Sequence, residues 1–173
     1  MEPQLCYATE KTPWGYIALV ASDRELVRLT LPCEREQEAL AEVADALNGY
    51  AVLDHKPFAE LLSRLTRYFA GEAVDFSDVA LDDSKATPFR RRVMKAVRGI
   101  PRGKVMSYRQ VASKVGRPLA ARAVGATMAA NPVCIIVPCH RVVGSDGRLV
   151  GFGGGLEMKQ RMLEMEGAAV VRS

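Results

Sequence analysis

The chain has little of what reactive and metal-binding sites are usually built from: two histidines and four cysteines in 173 residues. The cysteines, Cys6, Cys33, Cys134 and Cys139, stand without CxxC spacing, which excludes a zinc ribbon and a dense disulfide framework. No apolar run approaches the ~20 residues of a membrane span. The start, Met1-Glu2-Pro3-Gln4, lacks the basic and apolar regions of a secretory signal. The expected setting is therefore a reducing interior, in which a reactive thiol survives. A hydrophobic share of 49% with 25% charged residues is ordinary for a globular protein, and the length supports one large domain or two small ones.

Acidic residues are scarce in one half only. Residues 1–85 carry 8 Lys/Arg against 16 Asp/Glu, whereas residues 86–167 carry 15 against 4. A basic segment of this size is the electrostatic footprint of a protein that meets a polyanion, nucleic acid first among them. Charge alone does not separate that from a solvated basic face.

In the acidic half, Leu5 to Thr9, Tyr16 to Ala21 and Glu25 to Leu31 read as three strands of an antiparallel meander. The turns are Thr12-Pro13-Trp14-Gly15 and Ser22-Asp23-Arg24. Two helices are predicted after it, about Glu34 to Leu47 and Pro57 to Ala70, the second with Phe58, Leu61, Leu62, Leu65, Tyr68 and Phe69 on one face. No site is expected in residues 1–85; His55 reads as part of a solvated turn. Val79 to Lys85 is a polar connector, and the domain division is placed at 1–83 and 84–173.

Beyond it Thr87-Pro88 opens a helix to about Arg98, an N-cap followed by proline at the first helical position. Ser107 and Gln110 form a capping box for a short helix. Gly116-Arg117-Pro118 turns the chain into a second helix, Leu119 to Ala130, the pattern of a helix-turn-helix. That second helix is built almost wholly of Ala and Gly, so it has few side chains able to read base edges, and Arg122 is its one long cation. Val142 to Phe152, broken by Gly144-Ser145-Asp146-Gly147, reads as a hairpin resembling a wing. Leu156 to Glu166 is the last helix.

Between them lies Val133 to Val137, a β-branched run predicted to be a buried extended segment, stopped by Pro138 and followed at once by Cys139, His140 and Arg141. A thiol is nucleophilic only as thiolate, and an adjacent imidazole or cation lowers its pKa into the working range. Taken alone, a Cys-His pair is more often a buried structural cysteine.

The surrounding pattern overturns that default. Val137-Pro138-Cys139-His140-Arg141-Val142-Val143 resembles the signature of the O(6)-alkylguanine-DNA alkyltransferases, also called methylated-DNA–protein-cysteine methyltransferases. Val105-Met106-Ser107-Tyr108, Ala120 to Gly125, Asn131-Pro132 and the glycine loop before Leu156 follow in that family's order and spacing. The strong resemblance covers residues 68–167. It implies an α/β, or α+β, two-domain protein: an N-terminal ribonuclease-H-like α/β domain with a structural role and a C-terminal winged helix-turn-helix domain.

The implied activity is DNA repair by direct damage reversal. A methyl or other alkyl group passes from oxygen-6 of guanine, less readily oxygen-4 of thymine, to Cys139, once per molecule. The resemblance implies His140 as base, Glu166 as the acid that orients and charges it, Tyr108 as the phenol that protonates the leaving base, and Asn131 as support for the active-site turn. It implies Arg122 as the residue that fills the space of a flipped nucleotide, with Arg90, Arg91, Tyr108, Arg109, Arg117 and Ser145 toward DNA. Val142, Phe152 and Gly153 would line the guanine pocket. No metal and no cofactor are implied; the partner is double-stranded DNA carrying alkylated guanine, met by a monomer in the cytoplasm or nucleus, with no membrane. Met94, Cys134 and Phe152-Gly153 depart from common family usage, the last two near the expected pocket. The alternatives from other classes are a winged helix DNA-binding protein without alkyl transfer and a Cys-His hydrolase that turns over.

Overall fold

Three strands form where alternation and turn signals put them: β1 (Leu5–Thr12), β2 (Gly15–Ser22) and β3 (Glu25–Leu29), antiparallel in sequence order. Gly15 is required at the first turn. Its φ is 130°, and a Cβ there would lie 2.4 Å from the Cys33 carbonyl oxygen, to which Tyr16 donates its N–H at 2.8 Å. The computed structural model describes residues 4–22 and 24–170. Met1 to Pro3, Asp23 of the expected Ser22–Arg24 turn and residues 171–173 lie outside them.

Helix α1 (Glu36–Leu47) begins two residues later than predicted and ends at Asn48, which takes the left-handed conformation at φ 49°. It lays Ala39 and Val43 on Ala18 and Val20 of β2. A short strand not foreseen, β4 (Val52–Leu53), adds in parallel to β1, so the sheet order is β3-β2-β1-β4. Two exposed residues give no alternation by which to find it. The predicted helix from Pro57 divides into a tight turn, Lys56–Phe58, and α2 (Ala59–Phe69). α2 buries Leu62, Leu65, Tyr68 and Phe69, and the Trp14 and Phe69 ring centroids are 5.4 Å apart, so the aromatics are core. His55 is exposed, its Nε2 3.1 Å from the Thr9 carbonyl.

The chain gathers into two units, Met1–Asp82 with Pro132–Cys134, and Asp83–Asn131 with Ile135–Ser173. Part of the connector is ordered into the first unit: Leu81 bridges Leu26 in parallel, and Leu26 N–H donates to the Ala80 carbonyl at 2.9 Å. Val133 likewise bridges Leu29. The expected extended run, Val133 to Val137, is buried apart from Cys134 and is broken by a turn. Ile135 and Ile136 form a turn, with Ile135 at φ 75°. Local β preference loses here because the residues on either side of the turn belong to different units.

In the second unit Thr87 caps α3 (Pro88–Arg98), its hydroxyl accepting from the Arg90 N–H. Ser107 and Gln110 close the capping box on α4 (Tyr108–Lys114) from both sides. The turn is longer than three residues, and α5 (Ala121–Ala129) begins two residues later than predicted. Val93 and Val97 of α3, Val111 of α4 and Val124 of α5 are fully buried and form the centre of this unit. Strand β6 (Val142–Val143) pairs in parallel with β5 (Met106–Ser107). The Gly144–Gly147 turn forms, with Gly144 N–H donating to the Arg148 carbonyl at 2.8 Å, but no second strand follows among the described residues. The expected wing is therefore a tight turn. Leu149 leaves it to pack with Val143 and Leu163, and Gly151 at φ 44° ends any extension. The last helix is α6 (Leu156–Met165).

Candidate active site and nucleic-acid surface

Cys139 opens a single 3-10 turn, Cys139–Arg141, directly after Pro138, and is 5% exposed. Its N–H donates to the Val137 carbonyl at 2.8 Å, and the same carbonyl accepts from Asn131 Nδ2 at 2.9 Å. Asn131 thus spans the Ile135 turn and fixes the peptide on which the cysteine hangs.

His140 and Glu166 are buried together, 26 positions apart in sequence. His140 Nε2 lies 2.8 Å from Glu166 Oε1. Arg141 also bonds that carboxylate, Nε to Oε2 and Nη2 to Oε1, both at 2.9 Å, while Nη1 donates to the Ile100 carbonyl at 2.6 Å. Such a bidentate pair keeps the carboxylate ionised. It also changes the expected role of Glu166. Burial holds the His140 imidazole below its ordinary range, the attraction of Glu166 only partly opposing it and Arg141 adding to the fall. Glu166 orients the ring but does not charge it at rest.

One residue of this site escaped the sequence reading. Lys159 of α6 is fully buried, and its Nζ donates to the carbonyls of Val142 at 2.7 Å and Val150 at 2.9 Å. Burial lowers its pKa to about 8, with the nearby Cys139 partly opposing the fall. The available signal was its place on the helix, sharing a face with Met162, Leu163 and Glu166 at i+3, i+4 and i+7.

Tyr108 donates its hydroxyl to the same Val150 carbonyl at 3.0 Å. Burial raises its pKa and the nearby Cys139 adds to the rise, so the phenol keeps its proton. Lys159 Nζ stands 5.9 Å from the Tyr108 ring centroid and 6.0 Å from that of Phe152. Gly125 of α5 meets the Tyr108 ring, where a Cβ would make ordinary contact at 3.9 Å. Val142 is fully buried, Phe152 half-buried and Gly153 exposed, with nothing within 4 Å of a Cβ built on it.

The structure brings Cys139, His140, Glu166, Tyr108, Asn131, Val142 and Phe152 into one unit with Lys159 and Arg141. The expected DNA contacts are more dispersed. Arg122, Arg109, Arg117 and Ser145 are exposed, Arg122 in the first turn of α5. Arg90 is half-buried, with Nη2 on the Ala130 carbonyl at 3.3 Å. Arg91 pairs with the Asp83 carboxylate at 3.2 Å and with the Asp83 carbonyl, which neutralises part of its charge. In the first unit a hollow of 310 Å³ is lined by Tyr7, Thr9, Glu36 and His55, among others, and by none of the expected site residues. Among the described residues the four cysteines form no disulfide, and no group of three His, Cys, Asp or Glu side chains is placed to hold a metal. No described helix is long and apolar enough to cross a membrane.

Fold and site together define a two-domain α/β protein that sets a buried cysteine, histidine and glutamate beside a helix-turn-helix. A family model described as the 6-O-methylguanine DNA methyltransferase DNA-binding domain matches residues 88–168, and one described as its ribonuclease-like domain matches residues 5–82. The chain is 38% identical over 160 residues to the methylated-DNA–protein-cysteine methyltransferase of Mycolicibacterium paratuberculosis, covering 92% of this chain and 91% of that one. It is 40% identical over 163 residues to the protein of the same name from Salmonella typhimurium, covering 90% and 92%. The crystal structure of Mycobacterium tuberculosis OGT in complex with DNA matches with a TM-score of 0.77 at 38% identity, over 93% of this chain and 92% of that one. The chain belongs to the 6-O-methylguanine DNA methyltransferase family.

Proposed function

We propose that this protein repairs DNA by moving an alkyl group from oxygen-6 of guanine to Cys139, in a single irreversible event. The observation that carries the reading is the buried set of Cys139, His140 and Glu166, with the partly buried Arg141 on the carboxylate, within the domain matched by the family's DNA-binding model. At rest the set holds a thiol, a neutral imidazole, a carboxylate and a guanidinium. Moving the thiol proton to Nδ1 of His140, directly or through a water, gives thiolate and imidazolium with no change in net charge. That matters in a site where an added net charge would be costly. Glu166 then stabilises the imidazolium that it does not create at rest.

The thiolate attacks the alkyl carbon. A sulfur–carbon bond forms as the carbon–oxygen bond breaks, and the electron pair stays on the guanine. Tyr108 leaves the Val150 carbonyl and gives its proton to the departing base; the proton held on His140 restores the phenol, so overall one proton moves from thiol to guanine. The thioether has no leaving group to regenerate the thiol, hence one transfer per molecule. Because the target atom lies within a duplex, the nucleotide must be extruded. Arg122 takes its place in the stack, while Arg109, Arg117, Ser145 and the half-engaged Arg90 and Arg91 face phosphates. Val142, Phe152 and Gly153 hold the flipped base against backbone. Residues 1–83 serve as scaffold and residues 84–173 carry DNA surface and acceptor. The setting is a reducing intracellular compartment, cytoplasm or nucleus, and the protein acts as a monomer.

Duplex DNA carrying a radiolabelled methyl on guanine tests this directly. Label should move covalently to protein and saturate at one methyl per chain, and Cys139→Ser should abolish transfer while leaving DNA binding intact. Label that stays on DNA would mean a binding protein without chemistry; label set free with turnover would mean a hydrolase.

A further inference from the structure

Leu119 is 100% exposed, more than any other large apolar side chain among the described residues. A single exposed leucine is ordinary on a protein surface, but this one touches nothing in its own fold and stands at a particular place. It ends the turn before α5, in a stretch where Arg117 and Pro118 are also exposed, and precedes the exposed Arg122 by three residues. The buried side of α5 is Val124, Thr127 and Met128, whereas Arg122, Ala123, Ala126 and Ala129 face out. Leu119 therefore leads the outward face of the helix on which the DNA reading depends, and that face offers no other large apolar group. Apolar wedges are what proteins use to unstack base steps in a groove entered for shape.

We propose that Leu119 is an apolar duplex contact that enters the groove beside Arg122 and packs against base and sugar edges next to the extruded nucleotide. This rests on the alkyl-transfer reading above. Its contribution differs in kind from that of the surrounding cations. Burying a leucine displaces no counterion, so its share of affinity does not fall with salt, while each phosphate contact does. Leu119 is thus a positioning residue that touches DNA and leaves the thiolate alone.

Duplex binding of the full-length protein, measured over a salt series for wild type, Leu119→Ala and Leu119→Met, decides it, with alkylation by free benzylguanine as the control on fold and chemistry. Leu119→Ala should bind about tenfold more weakly at every salt concentration, with an unchanged salt slope. Leu119→Met, which restores the apolar volume, should recover most of the affinity, and all three proteins should react alike with benzylguanine. Wild-type affinity in Leu119→Ala, or an equal loss with benzylguanine, would overturn the contact. Failure of the wild type itself to accept label from methylated DNA would instead remove the reading on which the contact rests.

Discussion

Lys159 offers a test that needs no DNA. Its ammonium is fully buried, and its pKa lies near 8 instead of the ordinary 10.5, because burial disfavours the charged form. Below pH 8 both folded and unfolded chains hold the proton, and the cost of burying the charge is present in full. Between about 8 and 10.5 the folded chain has released it and the unfolded chain has not. The unfolded state then binds more protons, and stability rises with pH. The shift from 10.5 to about 8 corresponds to roughly 3 kcal/mol gained across that window. Urea unfolding of wild type and Lys159→Met at several values between pH 7 and 10.5 isolates it together with its coupling to Cys139, since groups that do not interact with Lys159 cancel in the difference. Wild type should gain on the variant by up to roughly 3 kcal/mol as pH rises, whatever their difference at pH 7. Parallel stability curves would show that Lys159 keeps an ordinary pKa and would refute the reasoning.

Glu166→Gln leaves the partly buried Arg141 and the buried His140 without their shared carboxylate, and urea unfolding should show a loss of about 1–3 kcal/mol. Alkylation by the same variant should slow more at pH 7 than at pH 9, because His140 loses the anion that stabilises its imidazolium; an equal loss at both would confine Glu166 to packing. Arg122→Ala should lose most of its rate on methylated duplex, where unstacking costs a few kcal/mol, yet react normally with benzylguanine. Equal losses on the two substrates would place Arg122 in the reaction centre or the fold.

Local signals were legible where the chemistry is local. Thr87-Pro88 and Ser107 with Gln110 mark helix starts through caps that reach at most three residues, and both stand as read. The segment from Val137 to Val143 is similarly compact, so Cys139 and His140 could be singled out as candidates without a fold. What escaped depends on partners far away in sequence. Arg141 shares Glu166 across 25 positions, which no periodicity encodes. Lys159 sits on the buried face of α6, but lysine is a surface residue by default, and its burial is explained by partners distant on the chain, among them the carbonyls of Val142 and Val150. The Ile135 turn contradicts its own residue preference, because the chain changes units there.

That turn also sets the last test. A β-branched residue at φ 75° is a strained conformation, of order 1–3 kcal/mol, and persists only where its surroundings over-determine it. The restraint is visible: Asn131 Nδ2 donates across the turn to the Val137 carbonyl at 2.9 Å, and Ile135 itself is 4% exposed. One hydrogen bond contributes about 1 kcal/mol net, comparable to the strain it opposes, so its loss should let the turn relax instead of merely weakening it. Because Cys139 N–H rests on the same carbonyl, relaxation moves the acceptor. Asn131→Ala should therefore slow alkylation by benzylguanine and by methylated duplex by the same factor, in contrast to Arg122→Ala, with a stability loss of about 1–2 kcal/mol. Asn131→Asp, which keeps the shape and loses the donor, should behave alike. Normal rates in both variants alongside reduced stability would mean that the turn presents Cys139 without help from Asn131.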